Sequence, residues 1–343
     1  MSKRGRLILG RVIGIVFVCL LLPFFFGERD TCPLCKFSPF HEPSSSKHDV
    51  ILASALSEMK RVEYFIRTLR TTGCRARVIL FLDNLNQIDF YWKKILKLCD
   101  IEVVLVHYQS DVIHSAPKLS RYYHEYEWLK NNIKDVNRVL HTDTFDVIFQ
   151  SDPFISDINE SNLYFTLEPV TLSESLWTEK WIEQCYGLEV VQDFSSEFVS
   201  CSGVTLGGAK PYFKYLEILV GSPQWSRCFG HSLDQAHHNY LLFSGDFQSA
   251  GLSIEFMDCQ SPYLTMHFCC KKQKCTLKSK GVLYINSSNP PVLIHQYNRW
   301  KNITQMNFNK CPKHNFYYGF SKFSLVHIYP SVSPAPMNTI WPP

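Results

Sequence analysis

Asp143 and Asp146 stand three residues apart in the stretch HTDTFDVIFQSDPF, residues 141–154. Three aspartates and a histidine crowd there against apolar side chains, directly after the apolar run VNRVL at 136–140. A buried carboxylate is costly unless something compensates it. A turn, a cation or a substrate would each do so. A carboxylate pair at the end of a strand suits Mg²⁺ or Mn²⁺, which takes one or two protein carboxylates and fills its shell with substrate phosphates and water. Such an ion neutralises a diphosphate leaving group as the bond to it breaks. The competing reading is that both acids cap a turn, and Asp152-Pro153 is turn chemistry in its own right.

The elements that must hold these acids alternate regularly. Residues 49–53 (DVILA), 77–82 (RVILFL), 101–106 (IEVVLV) and 138–142 (RVLHT) read as strands. Between the first two, Ser57 caps a helix with Met59, Val62, Ile66 and Leu69 on one stripe, and Gly73 stops it. A second helix buries Ile88, Trp92, Ile95 and Cys99, and a third, over 118–131, turns Leu119, Tyr122, Tyr126 and Leu129 inward. Continuous apolar strands alternating with helices predict an α/β fold, a mostly parallel sheet flanked by helices. Ligands of such sheets sit at the carboxyl ends of the strands, where Asp83 and Asp143 fall. Ala53-Ser54-Ala55 occupies the first turn, so no glycine-rich phosphate fingerprint is present, which disfavours a dinucleotide enzyme or a P-loop NTPase.

Beyond Phe154 the pattern loosens. Residues 163–167 read as a strand, 201–208 (CSGVTLGG) as a strand entering a tight glycine turn, and 211–220 as a helix. Ser232-Leu233-Asp234-Gln235 has capping-box spacing for a helix reaching about residue 243, with Asp234 in its first turn, where the dipole favours a carboxylate. A late strand at 292–294 delivers His295, whereas Phe149 and Phe154 read as core.

The chain has 343 residues, 45% of them apolar and 19% charged, with a net charge of +4. Lys3, Arg4, Arg6 and Arg11 supply that excess, leaving 31 basic against 31 acidic residues, so a nucleic-acid partner is disfavoured. The basic cluster precedes the uncharged stretch 12–27. With residues 7–10 that stretch approaches the ~20 apolar residues of a transmembrane helix. Basic residues ahead of it place the N-terminus in the cytosol. A cleavable signal peptide is the rival, but Phe24, Phe25 and Phe26 stand where small residues would be needed. The expected layout is a cytosolic tail (1–11), a signal-anchor (12–27), a stem (28–48), a lumenal domain (49–320) and a Pro-rich tail (321–343).

Thirteen cysteines, twelve of them beyond the anchor, agree with an oxidising lumen. Cys32 and Cys35, with Cys269, Cys270 and Cys275, read as disulfides in preference to a split zinc site. Asn159, Asn286 and Asn302 head glycosylation sequons.

The ordered set LHTDTFDVIFQSDPF, CSGVTLGG, LDQAHHNY and IHQYNR is similar to GT-A-type glycosyltransferases that use nucleotide-sugars, a resemblance of pattern covering roughly residues 49–300. It implies a Rossmann-like GT-A domain on a type II Golgi membrane protein, a nucleotide-sugar donor, UDP-linked by analogy, a glycan or glycoprotein acceptor, and Mn²⁺ or Mg²⁺ as cofactor. It makes Asp146 a metal ligand, Asp143 the second acid on metal or ribose, and His295 the late metal ligand. The family's D-x-D is D-x-x-D here, with Thr144 where the first acid would fall. Asp234 becomes the candidate catalytic acid residue, either a base toward the acceptor or a group orienting the sugar. Lys118 and Arg121 would meet the diphosphate, or belong to a solvated helix face. Ser54 and Asp83 would contact the nucleoside, and Gly203, Gly207 and Gly208 would admit the donor close to the backbone or simply make a turn. His237 and His238, adjacent on one helix, are not expected to bind metal. The alternatives are a non-catalytic, glycan-binding or scaffolding protein of the same fold, and a disulfide-rich extracellular interaction protein.

Overall fold

Strands covered on both faces need apolar side chains in succession, and four such runs build the centre of the protein. A computed structural model describes residues 31–56, 59, 61–106, 117–231, 233–278, 282–286, 290–314 and 328–330. In it β1 (Asp49–Ala55), β2 (Arg77–Leu82), β3 (Ile101–Leu105) and β4 (Arg138–Thr142) are neighbours in parallel, β1 pairing with both β2 and β4. After β5 (Val147–Phe149) come β6 (Leu163–Thr171), β7 (Phe198–Gly208), β8 (Ile254–Met257), β9 (Tyr263–Thr265), β10 (Cys275–Leu277), β11 (Leu283–Ile285), β12 (Leu293–His295) and β13 (Ile328–Pro330). The large sheet runs β13-β3-β2-β1-β4-β7-β6-β8, and β7 is its reversed member, antiparallel to β4 and to β6. The fold is therefore a mixed α/β arrangement with a large, mostly parallel sheet flanked by helices. A small sheet, β5-β12-β9, and the hairpin β10-β11 stand beside it.

The helix Pro117–Asn132 buries Leu119, Tyr122 and Leu129 in a core shared with Val50, Leu52, Ile79, Phe81 and Val139 of the sheet. Tyr212 and Tyr215 of the helix Ala209–Gly221 close that core from the β7 side. Each such side chain contributes on the order of 1.5–3 kcal/mol by leaving water. The helix Phe90–Leu98 starts where the Asp89 carboxylate accepts from the Trp92 amide, so Ile88 and Cys99 lie just outside it, although both are buried. The helix Val62–Thr71 begins after Arg61 and buries Val62, Ile66 and Leu69 as its stripe requires; the expected cap, Ser57, lies outside the described residues. Gly73 ends it at φ +78°, a conformation glycine adopts without strain.

Gly207 and Gly208 do not form the expected turn. They continue β7, and a β-carbon on either would collide with the carbonyl of Asn162 or of Glu160, which crosses over them. Their lack of a side chain serves that crossing.

Cys35 pairs with Cys311, Cys185 with Cys228, Cys259 with Cys269 and Cys270 with Cys275, and Cys32 is also disulfide-bonded, so these sulfurs make no zinc site. Of the stretch 28–48, expected as a stem, residues 33–48 lie against the body: the Ser45 amide donates to Asp152 at 2.8 Å, and the His41 amide donates to the Ser151 hydroxyl at 3.1 Å. Asn159, Asn286 and Asn302 are exposed. Among the described residues no helix is long and apolar enough to cross a membrane. The expected anchor, 12–27, lies outside them.

Candidate functional site

The carboxyl end of β4 leads straight into the acidic stretch, and backbone bonds pin that stretch at both ends. The Asp143 amide donates to the Gly203 carbonyl at 3.0 Å, and the Asp146 carbonyl accepts from the Tyr297 amide at 3.3 Å. The Thr144 hydroxyl donates to the Ser54 carbonyl at 2.9 Å, tying the loop to the end of β1. D-x-x-D thus sits on a tight bend that turns both acids the same way. β12, hydrogen-bonded to β5, brings His295 over them.

The Nε2 atom of His295 lies 3.3 Å from Oδ2 of Asp143 and 3.6 Å from Oδ1 of Asp146. One donor atom from each of the three residues falls within 4.8 Å of the others. The Cys201 sulfur, 3.4 Å from Nδ1, holds the imidazole from behind, so Nε2 faces the acids. Gly203 makes room for this: a β-carbon there would stand 2.8 Å from His295 Nε2 and 2.8 Å from Asp143 Oδ2. Two carboxylates and an imidazole, fixed on rigid elements and turned to one point, fit a divalent cation, whose identity the donor set leaves open.

Charge explains how the three coexist. Burial works against the Asp143 carboxylate, but the Arg121 guanidinium and His295 outweigh it and hold Asp143 well below the usual range. Asp146 is pushed up by burial and by Asp143, against the pull of His295. Burial works against the imidazolium too, yet the neighbouring Cys201, Asp146 and Asp143 raise His295 well above its ordinary value. A proton on His295 thus occupies the place that a cation would take.

Arg121 does not reach out as a helix-face residue. One of its terminal nitrogens bonds Asp143, and the other bonds Oδ2 of Asp234 at 2.6 Å, with Ser202 donating to the same oxygen at 3.1 Å. It clamps two acids from different elements, which a guanidinium does well because it is planar and forked. Asp234, the first residue of the helix Asp234–Phe243, is therefore committed to a permanent cation.

A cavity of about 380 Å³ opens over this centre, with Ser54, Lys118, Arg121, Gly203 and Asp234 in its wall beside Asp143, Asp146 and His295. Asp83, Gly207 and Gly208 are not in that wall. His237 and His238 are structural: burial lowers them to about 4 and about 3, and His238 bonds the Ser200 and Tyr215 hydroxyls.

Sequence reasoning missed several residues at the cleft. Trp181, Gln235, Gln296 and Arg299 line this cavity and also a second one, of about 330 Å³. Gln296, directly after His295, takes φ +60°, unusual for a residue other than glycine, and its Oε1 is buried without a partner. Glu168 lines the second cavity at 3% exposure, and burial pushes it up to about 7 against the pull of His295. Its signal was present, since a single acid in the apolar run LYFTLEPV obeys the same logic that drew attention to Asp143.

The chain matches no model of a known protein family, and no curated protein shows significant sequence similarity to it.

Proposed function

We propose that this chain is a metal-dependent glycosyltransferase with a GT-A-like domain, passing a sugar from a nucleotide-sugar, UDP-linked in our reading, to a glycan or glycoprotein acceptor. The observation that carries the proposal is the convergence of Asp143, Asp146 and His295 at the carboxyl edge of a mostly parallel sheet, on the floor of a cavity that also exposes Lys118. Open sheets of this kind bind ligands at that edge. A cation held there would supply positive charge to the diphosphate of the donor as its bond to the sugar breaks.

The chain's own residues have distinct tasks in this reading. Asp146 and His295 provide metal ligands, and Asp143 provides the second acid while Arg121 fixes its orientation. Lys118 adds charge at the cavity wall, where the diphosphate would lie, and the carbonyl of Ser54 is held to the acidic loop beside it. Asp234, bonded to Arg121 and Ser202, orients the clamp and the sugar. Ten disulfide-bonded cysteines among the described residues support an oxidising compartment, in keeping with a lumenal domain of a type II Golgi protein.

The test is direct. The purified chain is incubated with UDP-sugars, with and without Mn²⁺, and the release of UDP is followed. Metal-dependent release that drops at least 100-fold in Asp146→Asn is expected. Release that is independent of metal, or unchanged in that variant, would sink the assignment.

A further inference from the structure

The second cavity lies where β6 ends. Glu168 of β6, Ser175, Trp177 and Trp181 around the helix Leu176–Tyr186, and Phe268 of the helix Met266–Lys272 surround it. It meets the metal-site cavity along a shared wall of Trp181, Gln235, Gln296 and Arg299, so a molecule in one chamber touches residues of the other.

Its lining mixes two chemistries. Trp177 is 67% exposed at the mouth, an unusual place for an indole unless something covers it. Within, the Glu168 side chain, in a residue only 3% exposed, has no hydrogen bond or ion pair to a described residue, and His295 is the opposing charge that acts on it. The Oε1 of Gln296 on the shared wall is also buried and unpartnered. Buried polar groups without partners are expensive, and a ligand rich in hydroxyls would satisfy both. Broad apolar ring faces beside hydrogen-bonding groups suit a sugar, which presents C–H faces and a hydroxyl rim.

Resting on the glycosyltransferase reading, we propose that this chamber is the acceptor subsite, that a sugar ring packs there against Trp177 and Trp181, and that Glu168, not Asp234, receives the proton of the acceptor hydroxyl. The acceptor oxygen forms its bond to the anomeric carbon. The bond from that carbon to the diphosphate breaks, and its electron pair leaves on the nucleoside diphosphate. The hydroxyl proton passes to the Glu168 carboxylate and then to water. Asp234 is poorly suited because its oxygen already accepts from Arg121 and Ser202. Burial places Glu168 near neutrality, where a base is effective. One displacement assisted by a side-chain base inverts the anomeric centre.

Three measurements on the full chain separate the possibilities. Calorimetry with Mn²⁺ and UDP reports the donor site, a glycan array reports the chamber, and NMR of the transfer product reports the stereochemistry. Glu168→Gln should keep Mn²⁺–UDP binding within about twofold, which also shows that it folds, while transfer falls at least 100-fold. Trp177→Ala should raise the acceptor KM about tenfold and change kcat little. No binding to any glycan, or binding that neither variant alters, overturns the subsite. Transfer by Glu168→Gln at the wild-type rate, or a product of retained configuration, overturns the base. Glycan binding without Mn²⁺–UDP binding defeats the donor reading and the transfer step while leaving the subsite standing.

Discussion

Gly203 and His295 are packed so closely that a β-carbon on Gly203 would lie 2.8 Å from the imidazole Nε2. Gly203→Ala must therefore displace His295 or the Asp143 carboxylate, which stands at the same distance. Overpacking of this sort costs about 1–3 kcal/mol. We expect a modest loss in denaturant midpoint and a disproportionate loss of Mn²⁺ affinity, at least tenfold by calorimetry. Affinity equal to the wild type would show that the ring has room to move.

Arg121→Lys should be far from conservative. A single ammonium cannot hold Asp143 and Asp234 together as the guanidinium does. Removing one member of a buried ionic cluster costs about 3–5 kcal/mol, and the partial replacement by Lys should cost a sizeable share of that. Urea unfolding measures it, as a lower midpoint at unchanged slope. Lys118→Ala, on an exposed side chain, should leave the midpoint within about 0.5 kcal/mol and weaken UDP binding instead.

Cation affinity should rise with pH. His295 is raised above its ordinary value, so the metal-free protein carries that proton through neutrality, and a cation must displace it. Calorimetry in buffers of different ionisation enthalpy should show proton release on Mn²⁺ binding, and His295→Gln should abolish it. The stability of the metal-free protein has the opposite sense for this group. Its contribution is full below the unfolded value, about 6.5, and is lost as pH rises through the elevated folded value. Asp143, which is depressed, contributes above about pH 4 and loses its contribution as pH falls below that.

Glu168→Gln should stabilise the protein. A carboxyl raised to about 7 in the folded state binds a proton there that the unfolded chain has already lost, so stability declines as pH rises from about 4.5 to 7. The decline amounts to about 3 kcal/mol at most, and the amide variant should lack it. Thermal or urea melts at pH 5 and pH 8 give the comparison. A variant no more stable than the wild type at pH 8 would contradict a destabilising carboxylate at this position.

The central strands were legible to within a residue or two because a strand buried on both faces has no polar alternation to blur its ends. Arg77–Leu82 and Arg138–Thr142 agree without adjustment. The acids at 143 and 146 were legible because carboxylates after an apolar run need a reason. Other features depend on contacts across the fold that no local pattern encodes. The Gly207-Gly208 pair looked like a turn, but the carbonyls of Glu160 and Asn162 decide its role. Arg121 looked equally suited to phosphate or solvent until Asp143 and Asp234 were seen on either side of it. Glu168 escaped notice because the strand reading stopped at residue 167, whereas β6 continues through Pro169 and two register shifts against β7 to Thr171. Disulfide pairing depends on which distant segments meet, as Cys35 and Cys311 show.

The carboxylates at 143 and 146 leave the large sheet on the way to β5, whereas His295 ends β12 of the small one. An ion gripped by all three would therefore act as a rivet through a seam. Any sliding along that seam would change its grip, and by linkage its presence would resist the sliding. Substitutions in β9 or β5, which flank β12 and contribute no donor atom, thereby become a means of retuning metal affinity.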